Sequence, residues 1–284
     1  MKIALISSLL MLSSLAQAQN LKVLNFNAMC DLCGKKKDHG SFKKRLDAIG
    51  DTINRHDPDL ISLQEFRTKR QVATRLPRRV DEKYTQIFAK GPILSYADPV
   101  LMVRKDRFKV LGSKGFWLGP KSPNFSFGWK FGIPRRVQIA FLKDLKTSLE
   151  FILVGTHFDN ASDNKFPSAQ YLNQYLKQYQ QPIIFAGDTN IRTSQVGYEY
   201  LLNDLFVDTF QGDLETVFYA NGPFERDDAC NKSKAPTFPE CRIDHVLLSN
   251  NSPWSVKSWG VDVFKYNGKQ GFVSDHRAVV VELE

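Results

Sequence analysis

Residues 182–190 read Pro-Ile-Ile-Phe-Ala-Gly-Asp-Thr-Asn, an apolar run that ends abruptly in Asp188 and Asn190. A short apolar run of this kind is typical of a buried strand. The end of a strand is a place where a rigid sheet can hold polar side chains at the rim of a cleft. The segment therefore predicts a strand that delivers Asp188 and Asn190 to a functional site.

The same pattern, an apolar run followed by a carboxylate, an amide or an imidazole, occurs in five further stretches of the chain. These stretches end in Asn27, Glu65, His157, Asp244, and Asp275 with His276. One such ending is ordinary turn chemistry, but a set that includes three Asp, one Glu and two His indicates a shared cause. We expect these side chains to converge on one cleft.

This set of side chains suits the hydrolysis of a phosphoester. The attacking oxygen, the departing oxygen and the phosphoryl group all carry negative charge, which a hard divalent cation stabilises. Mg²⁺ prefers oxygen ligands, which Glu65 supplies with Asn27 and Asp275 nearby. Mn²⁺ or Ca²⁺ is the alternative, because both ions accept carboxylate ligands.

The two histidines at strand ends suit proton transfer. A histidine that a carboxylate holds in one tautomer can take a proton from the attacking water, and His276 with Asp244 fits that pairing. A salt bridge with Arg242 is the alternative role for Asp244. His157 can serve the leaving group or bind phosphate as an imidazolium.

Apolar segments separated by turns predict many strands and a few helices. Strands are predicted at 21–26, 60–63, 84–89, 99–104, 137–143, 150–156, 182–187, 243–248 and 277–283, and helices at 68–76, 166–180 and 196–204. Phe42, Leu46, Ile49 and Ile53 recur at helical spacing and predict one more helix before Asp57. Short polar turns between strand pairs suit antiparallel hairpins. We expect sheets packed together with helices outside.

The first 18 residues have the features of a Sec-type signal peptide. A basic start precedes an apolar run over residues 3–15 and the cleavage site Ala16-Gln17-Ala18. We expect a protein secreted to the periplasm or the extracellular space, with residues 19–284 as one monomeric domain and no protein partner. A buried N-terminal helix is the alternative.

Charge and cysteine content constrain partners and compartment. The chain has 39 Lys and Arg against 30 Asp and Glu, a formal net charge of +9. Such a balance attracts nucleic acids and anionic membranes, although exported proteins without such partners are often basic too. In an oxidising compartment, Cys30–Cys33 and Cys230–Cys241 are expected disulfides. A four-cysteine zinc site is the alternative.

Taken together, the polar strand ends resemble those of the endonuclease/exonuclease/phosphatase superfamily, which includes pancreatic-type deoxyribonucleases, abasic-site endonucleases, bacterial sphingomyelinases and inositol-polyphosphate phosphatases. Residues 187–190 look like its G-D-x-N motif, and residues 274–276 look like its terminal S-D-H. The resemblance runs from Leu21 to the C-terminus. It implies a four-layer α/β sandwich, in which two mostly antiparallel sheets pack face to face with helices outside.

The resemblance also implies roles for the site residues. Glu65 is the principal metal ligand, with Asn27 and Asp275 around the metal. Asp188 and Asn190 orient the nucleophile and the phosphate, and His276 forms a pair with Asp244.

Two features depart from the better-known branches of the superfamily. The nuclease branch steadies the histidine at position 157 with a Glu about seven residues before the strand-ending Arg104, where this chain has Ala97, and Asp98 is one place off. The partner of His157 is therefore open. Residues 156–160, Thr-His-Phe-Asp-Asn, resemble a branch with T-H-x-D-H, so the substrates of well-known members do not transfer.

Two arginines are candidates for substrate binding. Residues 64–67 resemble the Q-E-x-R of pancreatic-type deoxyribonucleases, in which that Arg enters the DNA minor groove, a position that negative potential favours. The alternative for Arg67 is a basic residue that opens a Lys/Arg-rich helix. Arg136 is expected to clamp a phosphate with two hydrogen bonds, and Arg135 competes for that role.

The residues favour a divalent-metal-dependent phosphodiesterase that cleaves DNA or RNA with low sequence specificity. The alternative is a sphingomyelinase-like enzyme, or an inositol-phosphate or phospholipid phosphoesterase, with an anionic or sphingolipid membrane as partner. The aromatic segment 116–131 bears on this choice, since its rings can stack bases, insert into lipid or pack in the core. A non-catalytic module is a third possibility, against which the complete residue set argues.

Overall fold

The computed structural model describes residues 20–33, 40–66, 75–88, 98–210, 242–262, 264 and 273–284. In chain order the elements are β1 (Leu21–Asn27), α1 (Phe42–His56), β2 (Leu60–Gln64), a 3-10 turn (Pro77–Arg79), β3 (Tyr84–Ile87), β4 (Val100–Arg104), β5 (Phe108–Leu118), β6 (Arg135–Asp144), β7 (Glu150–His157), α2 (Ser162–Leu176), β8 (Ile183–Asp188), α3 (Val196–Leu202), β9 (Phe206–Asp208), β10 (Asp244–Ser249), β11 (Val256–Val261) and β12 (Val279–Leu283). The signal peptide and Arg67 lie outside these ranges.

The strands form two six-stranded sheets. The first sheet has the order β11-β12-β1-β2-β4-β3, and the second has the order β5-β6-β7-β8-β10-β9. Each sheet contains one parallel pair, β1 with β2 in the first and β7 with β8 in the second, and its other neighbours are antiparallel. The expected pair of mostly antiparallel sheets is thus confirmed.

The sheets pack face to face, and helices cover their outer faces. A buried cluster between the sheets contains side chains from both, such as Leu101 of β4 and Leu153 of β7. A second cluster lies between the first sheet and α1, and a third lies between the second sheet and helices α2 and α3. Each fully buried Leu, Ile or Phe side chain contributes roughly 1.5–3 kcal/mol. The four-layer α/β sandwich is therefore the observed architecture.

A glycine lets the two sheets approach each other close to the site. A Cβ atom at Gly155 would lie 2.6 Å from the Leu101 side chain and 2.8 Å from Ser62 Oγ, both in the opposite sheet. Gly155 precedes His157 in β7, so this close packing fixes the strand end that carries the histidine.

Helix α1 buries one face and ends as its sequence predicts. Its apolar residues at helical spacing, Phe42, Leu46, Ile49 and Ile53, are all buried. Asp57 adopts a left-handed conformation with φ of 43° and donates its backbone N–H to Ile53 O at 2.8 Å, which closes the last turn.

Several elements differ from the expected ones. Strands β5, β9 and β11 were not predicted. Strand β5 contains glycines and lysines, and much of it is exposed at the edge of its sheet, so its apolar pattern is weak. Helix α2 begins four residues earlier than expected, because Pro167 is accommodated within its first two turns. The helix predicted at 68–76 lies almost entirely outside the described residues.

Two further expectations concern disulfides and membrane crossing. The Cys30–Cys33 disulfide is present, whereas Cys230 and Cys241 lie outside the described residues. Within the described ranges, every helix is too short or too polar to cross a bilayer.

Candidate active site

The strand ends that the sequence singled out meet at one edge of the sandwich, between the two sheets. The register of the second sheet places His157 beside Asp188 and Asp188 beside Asp244. In the first sheet, Asn27 pairs with Gln64, the residue before Glu65. Parallel strands end at the same edge of a sheet, so each parallel pair delivers two polar side chains to this edge.

Asp188 lies at the centre of the site and is fully buried. Its Oδ2 accepts a hydrogen bond from Asn27 Nδ2 at 2.9 Å, and its Oδ1 accepts one from the Asn190 backbone N at 2.8 Å. The Nε2 atoms of His157 and His276 lie 3.5 and 3.9 Å from Oδ2. Burial acts to raise the pKa of Asp188, but the two imidazoles and the hydrogen bonds outweigh it and lower this pKa.

His276 and Asp244 form the expected pair across the two sheets. His276 Nδ1 lies 2.7 Å from Asp244 Oδ2, and Asp244 Oδ1 accepts a longer hydrogen bond from Asn25 Nδ2 at 3.4 Å. Burial acts to lower the pKa of His276, but the hydrogen-bonded Asp244 and the charges of Asp188 and Asp275 raise it well above its usual value. The imidazolium form of His276 is therefore favoured.

The open partner of His157 is Asp98, which precedes β4 in the opposite sheet. His157 Nδ1 lies 2.8 Å from Asp98 Oδ2, and Asp98 Oδ1 accepts the Glu65 backbone N–H at 3.1 Å. Arg135 Nη1 lies 2.8 Å from the same His157 nitrogen and 3.6 Å from Asp98 Oδ2. A guanidinium can only donate, so a protonated Nδ1 hydrogen-bonds to Asp98 while Arg135 supplies positive charge to that carboxylate.

Glu65 shares a cleft with Asp188. The Asn27 amide nitrogen donates to Glu65 Oε1 at 3.2 Å and also to Asp188 Oδ2, while Glu65 Oε2 accepts the Cys30 backbone N–H at 2.6 Å. Glu65 itself has a left-handed backbone with φ of 68°, a conformation that costs free energy in a non-glycine residue. The backbone conformation at the end of β2 and the hydrogen bonds from Asn27 and Cys30 together hold the Glu65 carboxylate toward the second sheet.

The segment 274–276 is tied to the first strand. Ser274 Oγ donates to Asn27 O at 2.7 Å and accepts the His276 backbone N–H at 3.1 Å. Asp275 lies between these two residues, and its charge contributes to the field at His276. The terminal motif thereby places an imidazole and a carboxylate beside Asn27.

Arg45 of α1 holds together two backbone segments of the site, residues 28–30 and residue 273. It is buried, and its guanidinium donates to the carbonyl oxygens of Ala28, Met29 and Cys30 at 2.7–3.0 Å and to Val273 O at 3.2 Å. The first three carbonyls directly follow Asn27, and Val273 directly precedes Ser274. Arg45 therefore positions the site without belonging to its reacting face.

Asn190 and the two arginines expected to bind substrate have different surroundings. Asn190 Nδ2 donates to Phe158 O at 3.0 Å, which links the G-D-x-N segment to the residue after His157. Arg136 lies with its guanidinium 4.6 Å from the centre of the Trp117 ring, and burial lowers its pKa. Arg135, its competitor in the sequence, is the arginine that contacts His157 and Asp98. Arg67 lies outside the described residues.

The chemistry of the cluster fits a divalent cation. Asp188, Asp244 and His276 present ligand atoms within 4.8 Å of one another. The cluster contains the carboxylates of Glu65, Asp98, Asp188, Asp244 and Asp275. Among the described residues, the cations paired with these carboxylates are Arg135 and, when protonated, His157 and His276, while Lys165 acts on Asp188 through its charge. Three of the five carboxylates, those of Asp98, Asp188 and Asp244, are buried, and carboxylates in excess in such a site call for a cation.

Asn27 and the disulfide limit how a cation binds. Asn27 directs Nδ2 toward the carboxylates and uses Oδ1 to accept the Met29 backbone N–H at 3.0 Å. Only the amide oxygen binds cations, so the ligand role expected of Asn27 requires its amide to rotate by about 180°. Cys30 and Cys33 lie near Glu65, but as a disulfide they offer no thiolate.

Sequence reasoning left three neighbours of the site unassigned. Asp98 stood one position from the expected place, and Arg135 was an alternative to Arg136. Lys165, at the start of α2, was not considered. Burial and then Arg192 lower the pKa of Lys165, and Asp188 and Asp159 act in the opposite direction. Lys165 lies in a helix and away from any strand end, so the strand-end pattern in the sequence did not indicate it.

The chain matches one protein family over most of its length. Residues 24–276 fit the model of the Endonuclease/Exonuclease/phosphatase family. The chain belongs to this family. Its members are hydrolases that act on phosphoric esters, as the matching strand-end motifs lead one to expect. No curated protein matches the sequence.

Solved structures of family proteins share the fold. A family protein from Bacteroides thetaiotaomicron superposes with a TM-score of 0.76 at 23% identity and covers 93% of this chain and 97% of its own. A mannosyl-6-phosphatase from the same organism gives the same TM-score and identity over 93% and 99%. Zebrafish TDP2, complexed with a single-stranded DNA product, gives 0.66 at 18% identity over 94% and 99%. At these identities the likeness establishes the fold.

Proposed function

We propose that this chain is an exported, divalent-metal-dependent phosphodiesterase that cleaves DNA or RNA with low sequence specificity. The observation that carries the phosphoesterase part is the position of Asp188 between two imidazoles. Each imidazole is backed by its own carboxylate, Asp98 for His157 and Asp244 for His276. Groups that accept and donate protons thus face one small volume from both sheets.

In the proposed reaction the new bond joins a water oxygen to phosphorus, and the bond from phosphorus to the leaving oxygen breaks. Asp188 is ionised because its pKa is lowered, so it can orient the water and accept its proton. An imidazolium then protonates the leaving oxygen. His157, with Nδ1 held by Asp98, presents Nε2 for that step, while the imidazolium of His276 stabilises the phosphoryl oxygens.

A divalent cation, when bound, supplies electrostatic stabilisation of the charge on the phosphoryl group. Glu65 would hold it, together with Asp275 and, after rotation of its amide, Asn27. Mg²⁺ suits these oxygen ligands, and Mn²⁺ or Ca²⁺ is the alternative. The group Asp188, Asp244 and His276 is then not used as ligands, because the imidazolium form of His276 cannot bind a cation, and Asp188 and both histidines remain available for the water and the leaving group.

Charge supports nucleic acid as the substrate. The formal net charge is +9, which favours association with a polyanion. The buried Arg136, which follows Arg135 in β6, has an Nε atom without a hydrogen-bond partner among the described residues. A buried donor without a partner is costly, and a substrate phosphate would satisfy this Nε–H as part of a paired set of hydrogen bonds.

A second candidate function is a phospholipid, sphingomyelin or inositol-phosphate phosphoesterase. The observation that favours it is the exposure of Phe127 and Phe131 on the surface, since exposed aromatic rings can enter a lipid interface. The fold does not choose between the two, because both a sugar phosphatase and a DNA-bound protein share it.

The experiment that tests the proposal compares substrates under identical conditions. Purified residues 19–284 would be incubated with plasmid DNA, RNA, sphingomyelin vesicles and phosphoinositide vesicles, each with Mg²⁺ and with EDTA. We expect Mg²⁺-dependent cleavage of nucleic acid that an Asp188→Ala variant, purified in parallel, lacks. Intact nucleic acid with phosphocholine or phosphate released from vesicles would establish the second candidate instead.

Export can be tested independently of activity. We expect the exported protein to begin at Gln19, because the predicted cleavage site ends at Ala18. Mass spectrometry of the N-terminal peptide measures this directly. A mature protein that still carries residues 1–18 would contradict the signal-peptide assignment.

A further inference from the structure

Residues 119–134 form the loop between β5 and β6, which we call the aromatic loop. It leaves the second sheet at Leu118 and returns at Arg135, and these two residues are register partners. Arg135 contacts His157. The aromatic loop therefore arises from the same edge of the sandwich as the candidate active site.

Aromatic side chains form a continuous row along this loop. The Arg136 guanidinium packs on Trp117, and Trp117 contacts Phe125 with ring centres 4.9 Å apart. Phe125 contacts Phe127 at 5.0 Å, and Phe127 stacks on Phe131 at 5.7 Å with an interplanar angle of 20°. The row runs from the buried Arg136 guanidinium to Phe131, which is 91% exposed, with Phe127 50% exposed.

Hydrogen bonds to α2, and to the segment between β7 and α2, fix the backbone of the aromatic loop. Lys130 N donates to Asn164 Oδ1 at 2.7 Å, and Trp129 Nε1 donates to Ser168 Oγ at 3.0 Å. Ile133 N donates to Asp159 Oδ2 at 3.3 Å, only two residues beyond His157. A Cβ atom at Gly132 would collide with that same carboxylate. The exposed rings are thus held in place by the scaffold that holds the histidine.

We propose that the exposed faces of Phe127 and Phe131 are a stacking site for a nucleobase of the substrate. The inference rests on the proposed nuclease function and adds to it a subsite beside the scissile phosphate. A rigid apolar surface next to a catalytic site marks a place for a ligand. Bases stack on aromatic side chains irrespective of sequence, which suits low sequence specificity. Arg136, at the inner end of the row, complements the attached phosphate.

The local charges favour a base over an acyl chain. Membrane-inserting segments combine an apolar tip with cations that are available to anionic headgroups. In the aromatic loop, the ammonium of Lys130, next to Phe131, is paired with Asp163 at 2.9 Å, and the other lysine, the exposed Lys121, lies ten residues before Phe131. The parallel arrangement of the two exposed rings instead offers flat faces for stacking.

The test measures kcat and KM for two single-stranded oligonucleotides of equal length, one with all its bases and one with abasic residues around the cleaved bond. Phe131→Ala should raise KM for the complete oligonucleotide by roughly tenfold, given that one stacked base contributes about 5- to 150-fold. It should leave the abasic substrate unchanged. Phe131→Trp should retain affinity, and Phe131→Leu, apolar but without a ring, should lose it.

Leu145→Ala is the matched control. Leu145 is 53% exposed and lies in the turn after β6, at the opposite end of the strand from the aromatic loop. We expect this variant to behave as wild type on both oligonucleotides. Melting temperatures of all variants show whether each is folded, and exposed positions should change them little.

Each outcome decides the proposal. Equal losses on both oligonucleotides, or no loss with Phe131→Ala, would overturn the stacking site while leaving the nuclease function in place. Vesicle binding that Phe131→Ala abolishes and Phe131→Leu retains, with unchanged KM for the oligonucleotides, would assign the loop to lipid. Hydrolysis of neither oligonucleotide by wild type would overturn the nuclease function itself, and the stacking site with it.

Discussion

The two imidazole–carboxylate pairs of the site have nearly the same geometry but different surroundings. His157 lies 2.8 Å from Asp98 and His276 lies 2.7 Å from Asp244, and each pair joins the two sheets. The His157 side chain is 3% exposed and has Arg135 against its ring, whereas the His276 side chain is 13% exposed and is surrounded by carboxylates. One distance therefore does not define one role, because the carboxylates around His276 favour its imidazolium form whereas a guanidinium lies against His157.

The largest expected effect comes from the group that both pairs share. Asp188→Asn keeps the shape of the side chain but removes the charge between the two rings. We expect kcat/KM to fall by roughly 10⁴-fold, since proton transfer by a positioned side chain contributes about 10²–10⁴-fold. Steady-state kinetics measure the loss, and Asp106→Asn, at an exposed position, is the control. A loss below tenfold would remove Asp188 from the reaction.

The next largest effect is expected at Glu65, the proposed cation ligand at the end of β2 in the first sheet. Glu65→Gln should lower kcat/KM by about three powers of ten, because a catalytic cation contributes several kcal/mol of charge stabilisation. Binding of Mn²⁺, measured by calorimetry or electron paramagnetic resonance, should weaken in parallel. If EDTA leaves the turnover of wild type unchanged, the metal assignment is wrong.

Neutralising each carboxylate partner separates the two pairs. Asp98→Asn and Asp244→Asn should each lower kcat by about 10²–10³-fold, because the imidazole loses the group that fixes its tautomer. Asp244 raises the pKa of His276. In Asp244→Asn, the limb of the pH profile of kcat that reports loss of the His276 proton should therefore move to lower pH. Asp98→Asn should leave this limb in place. The same pH shift in both variants would contradict the difference in surroundings.

His245, which follows Asp244, hydrogen-bonds to a backbone carbonyl and has no carboxylate within hydrogen-bond distance in the described part of the chain. Its Nε2 lies 3.0 Å from Ile191 O, and burial, followed by the charge of Arg242, lowers its pKa to about 4. The unfolded chain, with a histidine pKa near 6.5, binds this proton more readily. Stability from neutral His245 is therefore fully present above about pH 6.5 and falls as the pH drops toward 4.

The matching measurement is urea unfolding of wild type and His245→Gln at several pH values. Between about pH 6.5 and 4, the free energy of unfolding should fall by on the order of 3 kcal/mol more for wild type than for the variant, because the pKa of His245 is about 4 in the folded protein and near 6.5 in the unfolded chain. Activity at neutral pH should change little, because His245 faces Ile191 and not the cleft. Parallel pH profiles for the two proteins would contradict the lowered pKa.

Local sequence was sufficient for the strands that carry the site. Strands β1, β2, β7, β8 and β10 are buried throughout or nearly so, and their apolar runs ending in a polar residue are visible within a few positions. Edge strand β5 has mixed exposure along its length, so its pattern was too weak to predict. A strand that is buried on both faces has a continuous apolar run, which predicts it from sequence, whereas an exposed edge strand lacks such a run.

The sequence by itself determined which residue types reach the strand ends and, through the family resemblance that its motifs carry, implied the four-layer sandwich. Only the tertiary structure decided that Asp98 backs His157, that Arg135 rather than Arg136 contacts that pair, and that the Asn27 amide nitrogen lies between Glu65 and Asp188. These contacts join residues of different strands, several of them in opposite sheets. Their geometry depends on how two whole sheets pack, which no local stretch of the chain encodes.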